Sequence, residues 1–525
     1  MLKKNTFFIN SCVTYIFFYH GQVYAQNWHL TPSIQLQEIY SDNITLASSD
    51  KAKSALVTSL SPAAFIVWRA GKSNLNLYYN MQNLYNAHGD GDYSLAHQLQ
   101  FNAHNVLSQN RLFVNSRASI SQQNINNNRL VSDNISGSRA DTTTVSSVGI
   151  SPTWLPSFGH YANGSVRVNA DSFSSGASGS TNGNANNANG TIADSVSIAE
   201  IVQLNSGSKF KRISWTAGFS NAQSYRAGAD DVTFQNSHAT LRTYMDKHFS
   251  LFATVGQSAN RFTSQTNSNQ NGFFYTLGGR WTLSRHYWVE AGGGNNSYIT
   301  VNISPMQRLS WLTTLRHNTI GTNSGTTWQT ALNYRTRRSR WSLMHNNDTL
   351  TGQDILSNRN FSGGVNNDNN DNSPVLQPDP NLTGIPTTTV PLTNEVIVRE
   401  SWNLAASFYT GKSSISINAF KQNRTFQTSK YTEHVSGVNA TWNWQFARKT
   451  SAYLRPQWQQ IDRNDPQSAL SQSHDNRYDF AVGLNQSITS RLNGRLEFNH
   501  LKQTSDLPKN DYQENRVTAN LFMRF

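Results

Sequence analysis

The feature that most restricts the fold of this chain is a two-residue hydrophobic period, repeated in segments about ten residues long. In residues 111–121, Leu112, Val114, Ala118 and Ile120 alternate with Phe113, Asn115, Arg117 and Ser119. In 211–220, Ile213, Trp215, Ala217 and Phe219 alternate with Arg212, Ser214, Thr216 and Gly218. Phe273, Tyr275, Leu277, Gly279, Trp281 and Leu283 form a third set, and Tyr478, Phe480, Val482, Leu484 and Ile488 a fourth. Successive side chains point to opposite faces of a strand, so each segment has one apolar and one polar face. Charged residues make up only 14% of the chain, and mean hydropathy is −0.56, so the polarity comes from Asn, Ser, Thr, Gln and Gly. After the first residues no window approaches the roughly 18 apolar residues that a transmembrane helix needs. A secreted β-solenoid or fibre and a transmembrane barrel with a wet interior both tolerate such a chain. Aromatic content of 11%, with 13 Trp, favours the barrel, whose interfaces collect aromatic girdles, and disfavours disorder.

The two ends agree. Along the last ten residues, Val517, Ala519, Leu521, Met523 and Phe525 share one face, and Arg516, Thr518, Asn520 and Arg524 the other, with Phe522 the apolar exception. A final strand with a terminal aromatic carboxylate is common in bacterial outer-membrane barrels; Leu521, Met523 and Phe525 resemble the signal read by the barrel-assembly machinery. At the start, Lys3 and Lys4 precede an apolar stretch from Phe7 to Tyr19, and Val23-Tyr24-Ala25 offers a signal-peptidase site. Cleavage is expected after Ala25, giving a signal peptide over 1–25 and one barrel domain over 26–525. Cys12, the only cysteine, falls in the removed segment, which leaves no disulfide, thiolate metal site or cysteine nucleophile.

Eleven short polar or basic connections read as periplasmic turns: 71–74, 108–111, 155–158, 207–209, 246–247, 284–285, 304–307, 337–340, 411–412, 448–449 and 490–491. The longer Asn/Ser/Gly-rich stretches between them, such as 174–190 and 358–391, read as extracellular loops. With both termini periplasmic, eleven turns imply twelve hairpins and 24 strands. The interval from Arg285 to Met306 is tight for two strands, and a misreading there would give 22. The expected fold is therefore all-β, a transmembrane antiparallel barrel of about 22–24 strands. Strand-like sequence begins at Trp28, which leaves no room for a separate plug domain ahead of the barrel.

Several short pieces resemble one family. They are Trp28-His-Leu-Thr-Pro32-Ser-Ile, Glu38-Ile-Tyr40-Ser-Asp42-Asn43-Ile44, Ser61-Pro62, His97-Gln-Leu99 and Ser121-Gln-Gln123. Ile303-Ser-Pro305 with Arg308, and Tyr334-Arg-Thr-Arg-Arg338 with Trp341-Ser-Leu343, extend the likeness. Together they look like the PEP-CTERM-system-associated outer-membrane proteins, barrels found beside exosortase sorting and exopolysaccharide loci. The resemblance implies an address and a context, not an activity.

The chain has no Gly-rich phosphate loop, no HExxH and no Gly-x-Ser-x-Gly. His97, His104, His238 and His248 are placed on the barrel wall, and His160, His286 and His345 near turns or loops, so no active site is read. Asp230-Asp231 and the Asn/Asp run 366–372 read as solvated loops rather than calcium sites, because no bidentate Glu follows at the right spacing. The proline-rich loop 375–391 is the one candidate constriction or surface-binding element. No metal, no cofactor and no nucleic-acid interface are expected.

One signal bears on transport. The lumen-lining candidates are Arg117, Arg167, Arg212, Arg280, Arg335, Arg495 and Arg516, with Arg524 beside them, whereas the inward acids are chiefly Asp171, Asp479 and Glu497. A cationic lumen concentrates anions. Asn76, Tyr78 and Asn80 would suit sugar hydroxyls. The net charge of +13 becomes +11 when Lys3 and Lys4 leave. Contact of the same arginines with lipopolysaccharide phosphates, or pairing with the few lumen acids, stays open beside this. The sequence reading is a non-enzymatic outer-membrane barrel associated with exopolysaccharide export or surface assembly. A general diffusion porin for anionic or sugar solutes is the alternative, and an outer-membrane enzyme the third. Expected partners are outer-membrane lipid and lipopolysaccharide, the barrel-assembly machinery and exopolysaccharide export components.

Overall fold

The structure, a computed structural model, describes residues 27–87, 93–109, 111–124, 142–176, 192–264, 270–354, 393–464, 472–507 and 510–525. The expected signal peptide and the segments 366–372 and 375–391 lie outside the described residues.

The first eight strands are β1 (Asn27–Ser41), β2 (Ala55–Ala70), β3 (Ser73–Asn86), β4 (Tyr93–Ser108), β5 (Leu112–Asn124), β6 (Thr142–Trp154), β7 (Ala162–Ser175) and β8 (Ser195–Ser206). There follow β9 (Ile213–Arg226), β10 (Val232–Tyr244), β11 (Phe249–Ser258), β12 (Gly272–Ser284), β13 (Tyr287–Gly294), β14 (Asn296–Met306), β15 (Leu309–Asn318) and β16 (Gly325–Arg335). The last are β17 (Ser339–Thr351), β18 (Val396–Tyr409), β19 (Ser413–Phe426), β20 (Thr432–Ala447), β21 (Thr450–Asn464), β22 (Gln472–Ser487), β23 (Leu492–Ser505) and β24 (Tyr512–Arg524).

Each strand pairs antiparallel with the next, and β24 returns to β1 over the register Ser33↔Arg524 to Ser41↔Arg516. The sheet therefore closes with no edge, as hydrocarbon requires, because an unpaired backbone group in lipid costs several kcal/mol. The eleven short connections fall close to where the sequence placed them, but Ser304–Met306 and Ser339–Arg340, expected in turns, extend β14 and β17 because the strands stay paired to their ends. The interval from Arg285 to Met306 does hold two strands, β13 and β14, of 8 and 11 residues. That settles the count at 24.

The two faces separate by chemistry. The outer face carries exposed tyrosines near the extracellular strand ends, among them Tyr40, Tyr85, Tyr93 and Tyr225, and exposed tryptophans near the periplasmic ends, among them Trp28, Trp154, Trp281 and Trp442. Trp28 stacks on Trp68 at 5.5 Å, and Trp341 meets Phe408 edge-on at 5.1 Å. Leucine, valine and isoleucine fill the belt between these girdles, with Leu277, Leu315, Leu404, Val482 and Leu521 all exposed. A closed barrel with this outer face and a polar inner face is an outer-membrane β-barrel. On β24, Val517, Leu521 and Met523 face outward and Phe522 turns in opposite Gln35 and Asn493.

Glycines pave part of the inner face. Gly278 and Gly292, opposed on β12 and β13, lie beneath the Phe252 ring; a Cβ at Gly278 would come within 2.5 Å of that ring's Cζ. The ring lies flat along the wall and stacks on Tyr298 at 5.9 Å. Gly437 accommodates Phe420 in the same way, and Gly483 accommodates Tyr453.

Candidate functional site: the lumen and its two ends

Along the wall from β17 to β22 the inner face carries a charge ladder whose rungs are register partners. Asp348 opposes Arg399, Arg399 opposes Arg424, Arg424 opposes Glu433, and Glu433 opposes Arg463. Arg399 binds Asp348 at 2.6 Å and Arg424 binds Glu433 at 2.8 Å. Arg463 lies 3.4 Å from Glu433 and also pairs with Asp475. Arg424 and Glu433 are fully buried, so each charge depends on its partner for solvation. Lower on this side, Glu497 accepts hydrogen bonds from Tyr453, Arg455 and Arg495, and Asn499 donates to Asp479 at 2.7 Å. Arg477 is buried 3.9 Å from Asp479, opposite Gln459.

The wall from β10 to β17 differs. Across it one register row reads Arg242, Phe252, Gly278, Gly292, Tyr298, Arg316. Glu290 accepts from Arg242 at 2.8 Å and from the Tyr298 hydroxyl at 2.7 Å. That commits the only acid in this cluster. Arg280 lies over the Trp288 ring at 3.8 Å and exposed Arg316 over Tyr298 at 5.6 Å. At the periplasmic end, Arg335 and Arg340 face each other across β16 and β17 on the lumen side, both exposed. Among the described residues no acid lies within ion-pair distance of Arg280, Arg316, Arg335 or Arg340.

The extracellular mouth is bridged. Ile192, just before β8, packs on Val145 and Phe173 of the β6–β7 wall, and also lies against Gly352, just past β17. The Ala193 amide donates to Asn394 Oδ1 at 2.8 Å. The Arg226 guanidinium, at the top of β9, donates to the carbonyls of Asp230 and Asn394. Ser264, after β11, donates to Gln427, after β19, at 2.8 Å. These contacts join connections eight to ten strands apart around a ring of 24, so the loop ends reach across the opening.

Of the sequence candidates, Arg117, Arg167, Arg280, Arg335, Arg495, Arg516, Asn76, Tyr78 and Asn80 lie on the face opposite the apolar belt. They do not form one cluster. Arg117 is neutralised by Asp171 at 2.6 Å, over Gly149, and Arg495 by Glu497. Arg516 is buried. Arg167 is exposed, and Arg212 lies not in a strand but one residue before β9, exposed beneath the barrel. Arg242, Glu290, Arg316, Arg340 and the ladder were not singled out from sequence; their shared signal is cross-strand register.

The histidines also move. His248 sits in a turn beside Asp246, whose carboxyl is held below the usual aspartate range by hydrogen bonds from the His248 and Phe249 amides. His345, expected near a loop, is mid-strand on the outer face of β17, between Trp328 and Trp402, with Nε2 3.1 Å from Glu400. A second outward pair joins His474 to Asp462. Asp230 is engaged by Arg226 and Thr263, and the described residues contain no grouping of three or more metal-ligating side chains.

No protein-family model matches the chain, and no curated protein does. Among solved structures, the apoprotein form of the FrpB iron transporter from Neisseria meningitidis aligns at 11% identity and TM-score 0.46, covering 94% of this chain and 81% of its own. The siderophore receptor PirA from Acinetobacter baumannii aligns at 9% identity and TM-score 0.45, covering 95% and 80%. Outer membrane protein opdK from Pseudomonas aeruginosa aligns at 8% and 0.34, covering 95% and 99%. These are likenesses of barrel architecture, and no argument rests on them.

Proposed function

We propose that this chain is a non-enzymatic outer-membrane barrel of an exopolysaccharide export or surface-assembly system, of the PEP-CTERM-associated kind that its motifs resemble, without a separate plug domain. In this reading the barrel rests shut at its extracellular mouth and opens when its partners or cargo engage it. The observation that carries the reading is the set of cross-mouth contacts made by Ile192, Ala193, Arg226 and Asn394. Loop ends clasped across the opening narrow the path that a general diffusion porin keeps passable. An export barrel needs such a closure, because a 24-strand ring left open would leak solutes. The polar inner wall, with Asn76, Tyr78 and the unneutralised arginines, supplies hydrogen-bond partners for a hydroxylated or anionic cargo.

The porin alternative keeps one supporting observation, the exposed Arg316 and Arg335 side chains on the inner face. Single-channel recording of the refolded mature protein in a planar bilayer separates the two. The closed-mouth reading expects a folded but nearly silent barrel, with anion-selective openings becoming frequent once Arg226→Ala with Asn394→Ala weakens the clasp. Large, steady conductance from the unmodified protein would establish the porin instead.

A further inference from the structure

The charges of this barrel are sorted along its axis. Of the eleven periplasmic connections, ten carry Lys or Arg; the exception is the one after β6. Lys72, Arg285, Arg308, Arg338, Lys412 and Lys449 are examples, all exposed, and the only acid in these connections is Asp246. The rim is therefore a ring of cations at one end of the barrel.

The ring continues inward most densely at β16 and β17, with single exposed arginines, Arg69 and Arg167, at the feet of β2 and β7. Above Arg308 and Arg338, the inner faces of β16 and β17 present Arg335 directly opposite Arg340. Like charges opposed across a strand pair are destabilising, and here no acid offsets them. Elsewhere the fold does neutralise such a pair, since Arg399 opposes Arg424 but each has its own carboxylate. Up the wall stand Arg316, over the Tyr298 ring, and Arg280, over the Trp288 ring; neither is in an ion pair, and Glu290, which opposes Arg280 in register, accepts from Arg242 and Tyr298 instead. A lane of guanidinium groups outside any ion pair thus runs from the periplasmic rim into the lumen.

We infer that this rim and lane are the capture site for a linear carboxylate-bearing polysaccharide that enters from the periplasm. The inference rests on the export reading above and names its cargo. Guanidinium forks match carboxylates, and the Trp288 and Tyr298 rings offer flat faces beside them for sugar rings. Anionic phospholipid of the inner leaflet is the competing occupant of the rim. It cannot reach Arg335 and Arg340, whose strands turn Tyr334 and Trp341 to the lipid instead. The ring raises the local concentration of polyanion, and the lane gives it successive sites of similar strength, so it is held but can advance.

The test is binding of polygalacturonate to the full refolded barrel in an uncharged detergent, with neutral dextran as control. Binding there does not depend on whether the mouth is shut, so conductance and binding can fail separately. The unmodified protein should bind polygalacturonate in a salt-sensitive way and should not bind dextran. The double variant Arg335→Gln with Arg340→Gln should weaken binding about tenfold while keeping the gel shift on heating that marks a folded barrel. Charge removal at the rim alone, Lys412→Gln with Lys449→Gln, should weaken it less. Unchanged binding in the lane variant would overturn the inference. So would equal dextran binding, or a result in which the rim variant loses only its retention of anionic phospholipid in nanodiscs.

Discussion

Two pairs of opposed arginines sit on the inner face of this barrel, and the chain treats them differently. Arg399 and Arg424, on β18 and β19, are bracketed by Asp348 and Glu433 and are part of a ladder that is buried at its centre. Arg335 and Arg340, on β16 and β17, are exposed and bracketed by nothing. The first arrangement is what a folded wall needs, since a buried guanidinium without a carboxylate costs far more than the pair returns. The second has no carboxylate to offset it and carries a cost that an arriving anion would remove. The contrast divides the lumen into a wall that holds the barrel together and a wall left for cargo.

Breaking the ladder should have the largest effect. Glu433→Gln leaves Arg424 and Arg463 without their shared acid, and about 3–5 kcal/mol of stability should be lost in denaturant unfolding from detergent. The double change Arg335→Gln with Arg340→Gln should be neutral or stabilising, by roughly 0.2–1 kcal/mol. Equal losses in the two would erase the distinction between the walls. Next in size is Gly278→Val, whose Cβ would meet the Phe252 ring and the Ala291 carbonyl; overpacking of this kind costs roughly 1–3 kcal/mol. Gly71→Val, in a turn with nothing near its Cβ, should leave stability almost unchanged.

Glu290→Gln acts on the open wall instead. It releases Arg242 from its carboxylate and adds one more free cation to the lane, so polygalacturonate affinity should rise a few-fold. A fall would mean that Glu290 positions the arginines rather than masking one of them. The smallest effect is expected at the rim. Asp246, depressed below its usual value of 3.8 by amide hydrogen bonds, stabilises its turn when ionised. That contribution is present above the unfolded-state value and is lost as the pH falls through the folded one. Asp246→Asn should therefore flatten the acid limb of the thermal stability profile and change little at neutral pH.

Much of this architecture was legible because the constraints on a barrel are local. Alternation marked the strands, and short basic turns separated them cleanly from polar loops. Even the tight interval at Arg285–Met306 resolved into two short strands. The lumen was legible only as a list of inward residues. Which arginine meets which acid depends on register, and register is fixed by closure around all 24 strands. Arg117 and Arg335 look alike in sequence, yet one lies against Asp171 and the other against Arg340. The run His345-Asn346-Asn347-Asp348 imitates a loop in composition, but pleating splits it, sending His345 and Asn347 out and Asn346 and Asp348 in. The mouth contacts were invisible, because they join residues some 201 and 168 positions apart that no local pattern relates.

A mouth held shut at rest brings Ala193 and Asn394 together, and the mature chain's expected lack of cysteine allows this to be measured directly. With Ala193→Cys and Asn394→Cys introduced together, mild oxidation of intact cells should yield a cross-linked species that migrates differently on a non-reducing gel. Neither single variant should give it. If both thiols instead react independently with an external maleimide and no cross-link forms, the two loop ends do not meet, and the closed-mouth account is contradicted.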